Sequence, residues 1–182
     1  MSLPDRPGHA FMDALAMQLS DVGAVVERGA VDEPLGPASM RARFGSDVGS
    51  TARVGVDFSL IPDPSGAFEG YFNLQSFVDV SSTVTSERSP EVYEMLMAIN
   101  QYTPIGYFGV FVRLGVLYWK NTAYLDVRVE PERNAQLVIS QTDLARRIIA
   151  DFEIPILDVV SGRASAAQAL AESKWGPALF DG

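Results

Sequence analysis

Of the residues that could carry acid–base, nucleophilic or metal chemistry, this chain has one histidine, His9, and no cysteine. His9 falls in a leader read as flexible, about residues 1–8 and their edge. A nucleophilic triad needs its imidazole held by packing beside the nucleophile, so His9 reads as a bystander. Lack of cysteine excludes disulfides, thiolate zinc sites, iron–sulfur clusters and cysteine nucleophiles, and one histidine is no basis for an imidazole metal set. The segment Gly45-Ser46-Asp47-Val48-Gly49-Ser50-Thr51 resembles a phosphate loop only faintly. It has three residues between its glycines where the phosphate-loop pattern has four, it lacks the lysine, and it precedes a strand pattern, so it reads as a strand connection. Asp57, Asp79 and Asp126 fall in strand patterns. A pair of them could serve acid–base chemistry, but strand acids more often face solvent and discourage edge pairing. Asp151, Glu153 and Arg146-Arg147 read as the wet face of a helix. The expectation is a protein with no enzyme activity and no cofactor, with an acid–base enzyme built on the strand carboxylates as the least favoured alternative.

Aromatic side chains give the better lead. Tyr107, Phe111, Tyr118 and Tyr124 lie opposite the most regular apolar faces, and Phe77 does the same in an earlier strand. Exposed apolar patches on a sheet mark binding sites, and Tyr combines a large ring with a polar tip. The competing expectation is that helices or a second subunit cover these rings. Tyr93, Met95 and Met97, on a helix apolar on more than one face, join them as candidate dimer or partner contacts, since methionine packs adaptably at seams.

The elements that must position these residues follow from periodicity. Phe11, Leu15 and Leu19 predict a helix over 11–22, stopped by Gly23. Val25-Val26 can start a strand. Met40, Ala42 and Phe44 alternate with Arg41 and Arg43, Val56, Phe58 and Leu60 alternate again, and a long strand follows from Tyr71 to Val80. Two proline-rich segments, 32–37 and 62–66, break the chain between strands. Ser89-Pro90-Glu91 predicts a helix start with Ser89 as cap, and Val92, Leu96 and Ile99 form its main stripe. Phe108, Val110, Val112 and Leu114 predict one strand, Gly115 a turn, and Leu117 to Val129 the next strand. Residues 131–134 read as loop, Ser140 or Thr142 as the cap of the last long helix, and Pro155 as its kink or end. Residues 164–172 predict a short alanine-rich helix, followed by a tail containing Trp175 and Phe180 that can dock or stay loose.

The chain has 182 residues, 47% of them hydrophobic and 20% charged, with a net charge of −9. One α+β domain over 1–182 is expected, with the leader before it and the short helix and tail, about 163–182, as additions. Net acidity argues against nucleic acid and against an anionic membrane surface, because both need clustered Lys and Arg. No apolar run is long enough to span a bilayer and no signal core is present, so a cytoplasmic location is expected. The acidity itself can attract a basic peptide.

The residues Met95-Leu96-Met97-Ala98-Ile99-Asn100, then Gly106-Tyr107-Phe108-Gly109-Val110, then the helix ending Ile154-Pro155-Ile156-Leu157-Asp158-Val159-Val160 resemble the bacterial YbjN-like family. Its members are described as sensory-transduction regulators with the fold of type III secretion chaperones. The resemblance covers 90 to about 162. It implies an α-βββ-α-ββ-α order, with an antiparallel sheet and packed helices. It also implies a non-enzymatic module that binds a client protein or peptide segment, chaperone-like or regulatory, as a homodimer. Strand addition at a sheet edge would suit such a client. The alternative function is a small-molecule sensor or carrier with an apolar pocket between sheet and helices.

Overall fold

The computed structural model describes residues 7–29, 38–45, 55–61, 70–81 and 83–174. In chain order these form α1 (Pro7–Asp21), β1 (Val25–Arg28), β2 (Ser39–Arg43), β3 (Gly55–Ile61), β4 (Tyr71–Ser81), α2 (Ser89–Tyr102), β5 (Tyr107–Phe111), β6 (Val116–Asp126), α3 (Pro131–Ser161) and α4 (Ala166–Glu172). The chain is α+β, with strands hydrogen-bonded in the order β1-β2-β3-β4-β6-β5. Four strands precede α2 where the sequence pattern gave three. Val25–Arg28 completes a strand of its own, with Val26 opposite Ala42 and Arg28 opposite Met40. The segments 32–37 and 62–66, residues 46–51, the first six residues and the tail from Trp175 lie outside the described residues.

The chain forms two compact units, residues 1–78 with 121–143 and residues 79–120 with 144–182. β4, β6 and α3 each contribute residues to both units.

In the first unit, α1 starts at Pro7, four residues before the expected position, so His9 is an exposed residue of its first turn. Phe11, Leu15 and Leu19 are fully buried along one stripe, as spacing of four requires. Gly23, at φ +84°, ends the helix. Its N–H donates to the Ser20 carbonyl and the Ala24 N–H to the Leu19 carbonyl, which satisfies carbonyls that the helix leaves open. Met40, Ala42, Val56, Phe58, Leu74 and Val78 are buried, while Arg41 and Arg43 are exposed. The alternation in the sequence is thus the alternation of faces. Phe11 stacks on Phe72 with ring centroids 5.9 Å apart. On the polar face Arg41 forks onto Asp57, its cross-strand partner, through two bonds of 2.6 Å, and Arg43 forks onto Glu27 at 2.8 and 2.9 Å.

In the second unit, α2 buries Val92, Met95, Leu96 and Ile99. Ser89 is the first helical residue and not its cap: Arg88 occupies the cap position, and the Ser89 hydroxyl donates to the Thr85 carbonyl at 2.9 Å. The C-terminal half of α3 packs Ile148, Ile149, Phe152, Ile156 and Val159 inward. α4 is closed by a capping box between Ser165 and Gln168.

α3 corrects several expectations together. It begins at Pro131, so 131–134 is its first turn and not a loop. Proline suits that first position because the N–H it lacks has no helical acceptor there. Ser140 and Thr142 lie inside the helix, with hydroxyls donating back to the Gln136 and Val138 carbonyls at 3.0 and 2.8 Å. Pro155 does not end the helix, which continues to Ser161. Residues on both sides of it, Phe152 and Ile156, are buried, and that packing offsets the one hydrogen bond proline cannot donate. The true end is Gly162 at φ +75°, where the Arg163 N–H reaches the Asp158 carbonyl at 2.8 Å.

Candidate functional site

The β5–β6 hairpin builds the site. β5 ends at Phe111, three residues earlier than its apolar alternation suggests. The Leu114 and Gly115 N–H groups fold back on the Phe111 carbonyl at 2.9 and 2.8 Å, so residues beyond Phe111 no longer alternate. Val112 and Leu114, expected to face inward, are instead 77% and 71% exposed at the hairpin tip. Gly115 takes φ +64° there, and a Cβ on it would come within 2.7 Å of the Val84 carbonyl oxygen. Glycine is required on both counts. The Val84 N–H donates to the Gly115 carbonyl at 2.8 Å and ties the turn to the chain before α2.

Register then assigns the faces. Phe108 lies opposite Trp119 and Val110 opposite Leu117. Phe108, Leu117 and Trp119 are buried, and the Phe108 ring meets Phe152 of α3 edge-on at 6.4 Å. The outer face carries Tyr107 opposite Lys120, Gly109 opposite Tyr118 and Phe111 opposite Val116. On this face three rings form one cluster. Tyr118 meets Phe111 at 4.5 Å with planes tilted 34°, and Tyr107 at 6.2 Å and 72°. Gly109 lets Tyr118 lie down between them, since a Cβ there would sit 2.6 Å from the phenol carbon and oxygen. Burial within the cluster pushes the Tyr118 phenol above its usual value, and the Tyr107 phenol and then Tyr93 add to the effect. Even so, Tyr107 and Phe111 remain 42% and 44% exposed. Apolar rings held in place yet open to water are unusual on a surface with no use for them.

The helical candidates divide. Tyr93 is half-buried and near enough to Tyr118 to act on its phenol. Met97 lies one turn further along the same stripe and is 67% exposed. Met95, by contrast, is 1% exposed and belongs to the core of its unit, which leaves it no surface for a partner. Tyr124 is half-exposed on the part of β6 that belongs to the first unit. Tyr93, Tyr107, Phe111 and Tyr118 are thus brought together.

α2 also covers the edge of β5 at Phe108. The Asn100 side chain accepts from the Phe108 N–H at 2.8 Å and donates to the Phe108 carbonyl at 2.9 Å. It takes the place a neighbouring strand would occupy. Sequence reasoning noticed Asn100 as part of a motif but gave it no role. Lys120, on the face of Tyr118, and Gly109, in the same motif as Tyr107, likewise received no role, and the exposed tip was missed. Counting back from a turn at 112–115 to Gly109 and Tyr118 would have found the ring seat.

Two of the three strand carboxylates, Asp57 and Asp126, serve ion pairs. Asp57 is held by Arg41. Asp126 accepts from the Arg128 backbone N–H at 2.9 Å and from its guanidinium at 2.8 and 2.6 Å. These bonds hold the Asp126 carboxyl down at about 2. Asp79 is exposed. Asp151 is paired with Lys174, and Glu153 is half-buried, so their stretch of α3 is not a uniformly solvated face. Burial raises the Glu153 carboxyl. Among the described residues no helix is long and apolar enough to cross a membrane.

Comparison of the chain with family models, with curated proteins and with solved structures finds no match in any of the three.

Proposed function

We propose that the protein is a polypeptide-binding module, regulatory or chaperone-like, that takes an extended segment of a partner on the outer face of the β5–β6 hairpin. The observation that carries this reading is the cluster of Tyr107, Phe111 and Tyr118, locked ring to ring while Tyr107 and Phe111 stay more than two-fifths exposed. Rigid tyrosines lose little side-chain entropy on binding and supply large contact area, which is why such rings dominate interface energetics. The resemblance of 90–162 to YbjN-like regulators points the same way.

The test is amide NMR of the whole protein titrated with pools of twelve-residue peptides rich in aromatic and aliphatic residues. Shifts gathered on Tyr107–Lys120 and the Tyr93–Met97 stripe support the proposal. Shifts elsewhere, or none, sink it. Sedimentation over a range of concentrations accompanies the titration: a dimer that buries the hairpin would make a second copy of the chain the occupant instead of a client.

A further inference from the structure

The charge of the β5–β6 hairpin opposes that of the whole chain. The protein carries −9, with 23 acidic residues against 14 basic. Yet between Glu94 and Asp126 there is no acidic residue, and the charged side chains of that stretch are Arg113 and Lys120. That stretch contains the entire hairpin. Lys120 stands directly opposite Tyr107 on the ring-bearing face, and Arg113 is exposed at the tip between Val112 and Leu114. Two cations thus bracket the rings along the hairpin, one toward its open end and one at its turn.

The manner of contact is constrained as well. An added strand needs free backbone groups on the edge, and Asn100 already holds both those of Phe108. The hairpin presents instead the partly exposed rings of Tyr107 and Phe111 and the two cations.

Resting on the peptide-binding reading above, we infer that the hairpin recognises an acidic, aromatic- or proline-containing polypeptide segment by ring stacking and ion pairing, not by adding a strand. The segment lays apolar side chains on Phe111 and Tyr118 while carboxylates on either side reach Lys120 and Arg113. Complementary charge of this kind sets orientation and rejects partners of the wrong sign. It is the reverse of what net charge suggests, because Coulomb attraction is screened within about 8 Å at physiological salt and a docking segment responds to nearby charges. A basic segment would have to approach Lys120 and Arg113 against repulsion. Nucleic acid would also stack on rings, but two cations give little phosphate neutralisation.

The experiment uses the full chain and three pools of twelve-residue peptides. The pools are identical in aromatic, aliphatic and proline content, and carry Glu, Gln or Lys at the same positions. Fluorescence anisotropy of the labelled pools reads binding, with oligo(dT) as a fourth probe. The expected result is that the Glu pool binds about tenfold tighter than the Gln pool, and the Lys pool more weakly still. Lys120→Gln and Arg113→Gln should erase much of that preference without removing residual binding to the rings, and added salt should do the same. Phe111→Ser should weaken all peptide pools together, with near-UV circular dichroism checking that the fold is kept. Equal binding of the three pools overturns the charge inference and leaves the peptide-binding reading standing, as does preference for the Lys pool. Binding of no peptide pool overturns both. Tight binding of oligo(dT) lost in Lys120→Gln overturns both in favour of a nucleic-acid partner.

Discussion

The Asn100 carboxamide pairs with the Phe108 backbone as a strand would, accepting its N–H at 2.8 Å and donating to its carbonyl at 2.9 Å. This contact fixes α2 to the edge strand and so fixes Tyr93 beside the ring cluster. Asn100→Ala leaves a part-buried donor and acceptor without their partner, which costs about 1–3 kcal/mol. Urea denaturation should register that loss, and the Phe108 amide should exchange with solvent markedly faster. Unchanged exchange at Phe108 would mean that the pair contributes nothing to closing the edge. Asn100→Asp, which keeps an acceptor and loses the donor, should fall between wild type and alanine.

Two glycines of the hairpin region should respond differently to alanine. Gly106 has φ +62°, and a Cβ on it would enter the Trp119 ring and approach the Lys120 carbonyl oxygen at 2.6 Å. Trp119 is 2% exposed and its indole nitrogen has no hydrogen-bond partner among the described residues, so packing alone holds the ring. Left-handed backbone and overpacking together predict a cost of about 2–4 kcal/mol for Gly106→Ala, with a shifted tryptophan emission. At Gly109 the obstacle is the far end of the Tyr118 side chain, which can swing away. Gly109→Ala should cost less than about 1 kcal/mol while disordering the cluster, read as lost tyrosine signal in near-UV circular dichroism and weaker peptide binding. Equal destabilisation by the two substitutions would contradict this account.

The Tyr118 phenol carries the cluster's signature in its titration. Burial first, then Tyr107 and Tyr93, raise it above the ordinary 10.0. A folded value above the unfolded one means that the neutral phenol is favoured by folding. That contribution is complete below pH 10.0 and is lost as pH rises through the higher folded value. Ultraviolet titration of phenolate should therefore show one tyrosine ionising later than the rest. Tyr107→Phe, which removes a charge and a hydrogen bond, should bring that tyrosine part of the way back. A Tyr118 phenol that titrates with the bulk would disconnect the rings from one another.

How far the sequence foretold this site depends on the kind of signal each residue carries. Strand alternation alone placed Tyr107, Phe111 and Tyr118 opposite a buried face, because a side chain's face is a parity. The same rule failed at Val112 and Leu114, where a four-residue turn had already replaced the strand. Periodicity does not mark where hydrogen bonds fold back. Met95 and Met97 are both offered by the sequence as partner contacts, on different sides of α2, yet one is core and the other surface, since a helix apolar on several sides does not say which side its own chain will cover. β1 was half visible in Val25-Val26 and became a strand through pairing with β2, a long-range partner that local pattern does not contain. Local pattern splits the long helix at Pro155 and before Ser140, because proline and hydroxyl residues weigh against helix locally while the buried stripe on α3 outweighs them.

Glu153 offers the last test, on the stability of α3. It follows buried Phe152 and precedes Pro155, and burial alone raises its carboxyl above the ordinary 4.5. Its neighbour Asp151 is tied to Lys174. A raised folded value means that the native state takes up the Glu153 proton more readily than the unfolded chain. The resulting stability is present below pH 4.5 and is lost as pH climbs through the folded value, so the charged carboxylate works against folding at neutral pH. Glu153→Gln removes the charge and keeps the shape. Its advantage over wild type in urea denaturation should be small near the ordinary carboxyl value, grow with pH, and level off once the wild-type carboxyl is fully ionised. An advantage that is independent of pH would trace the effect to packing or helix propensity. A loss of stability at neutral pH would show that the carboxylate has a compensating partner in solution.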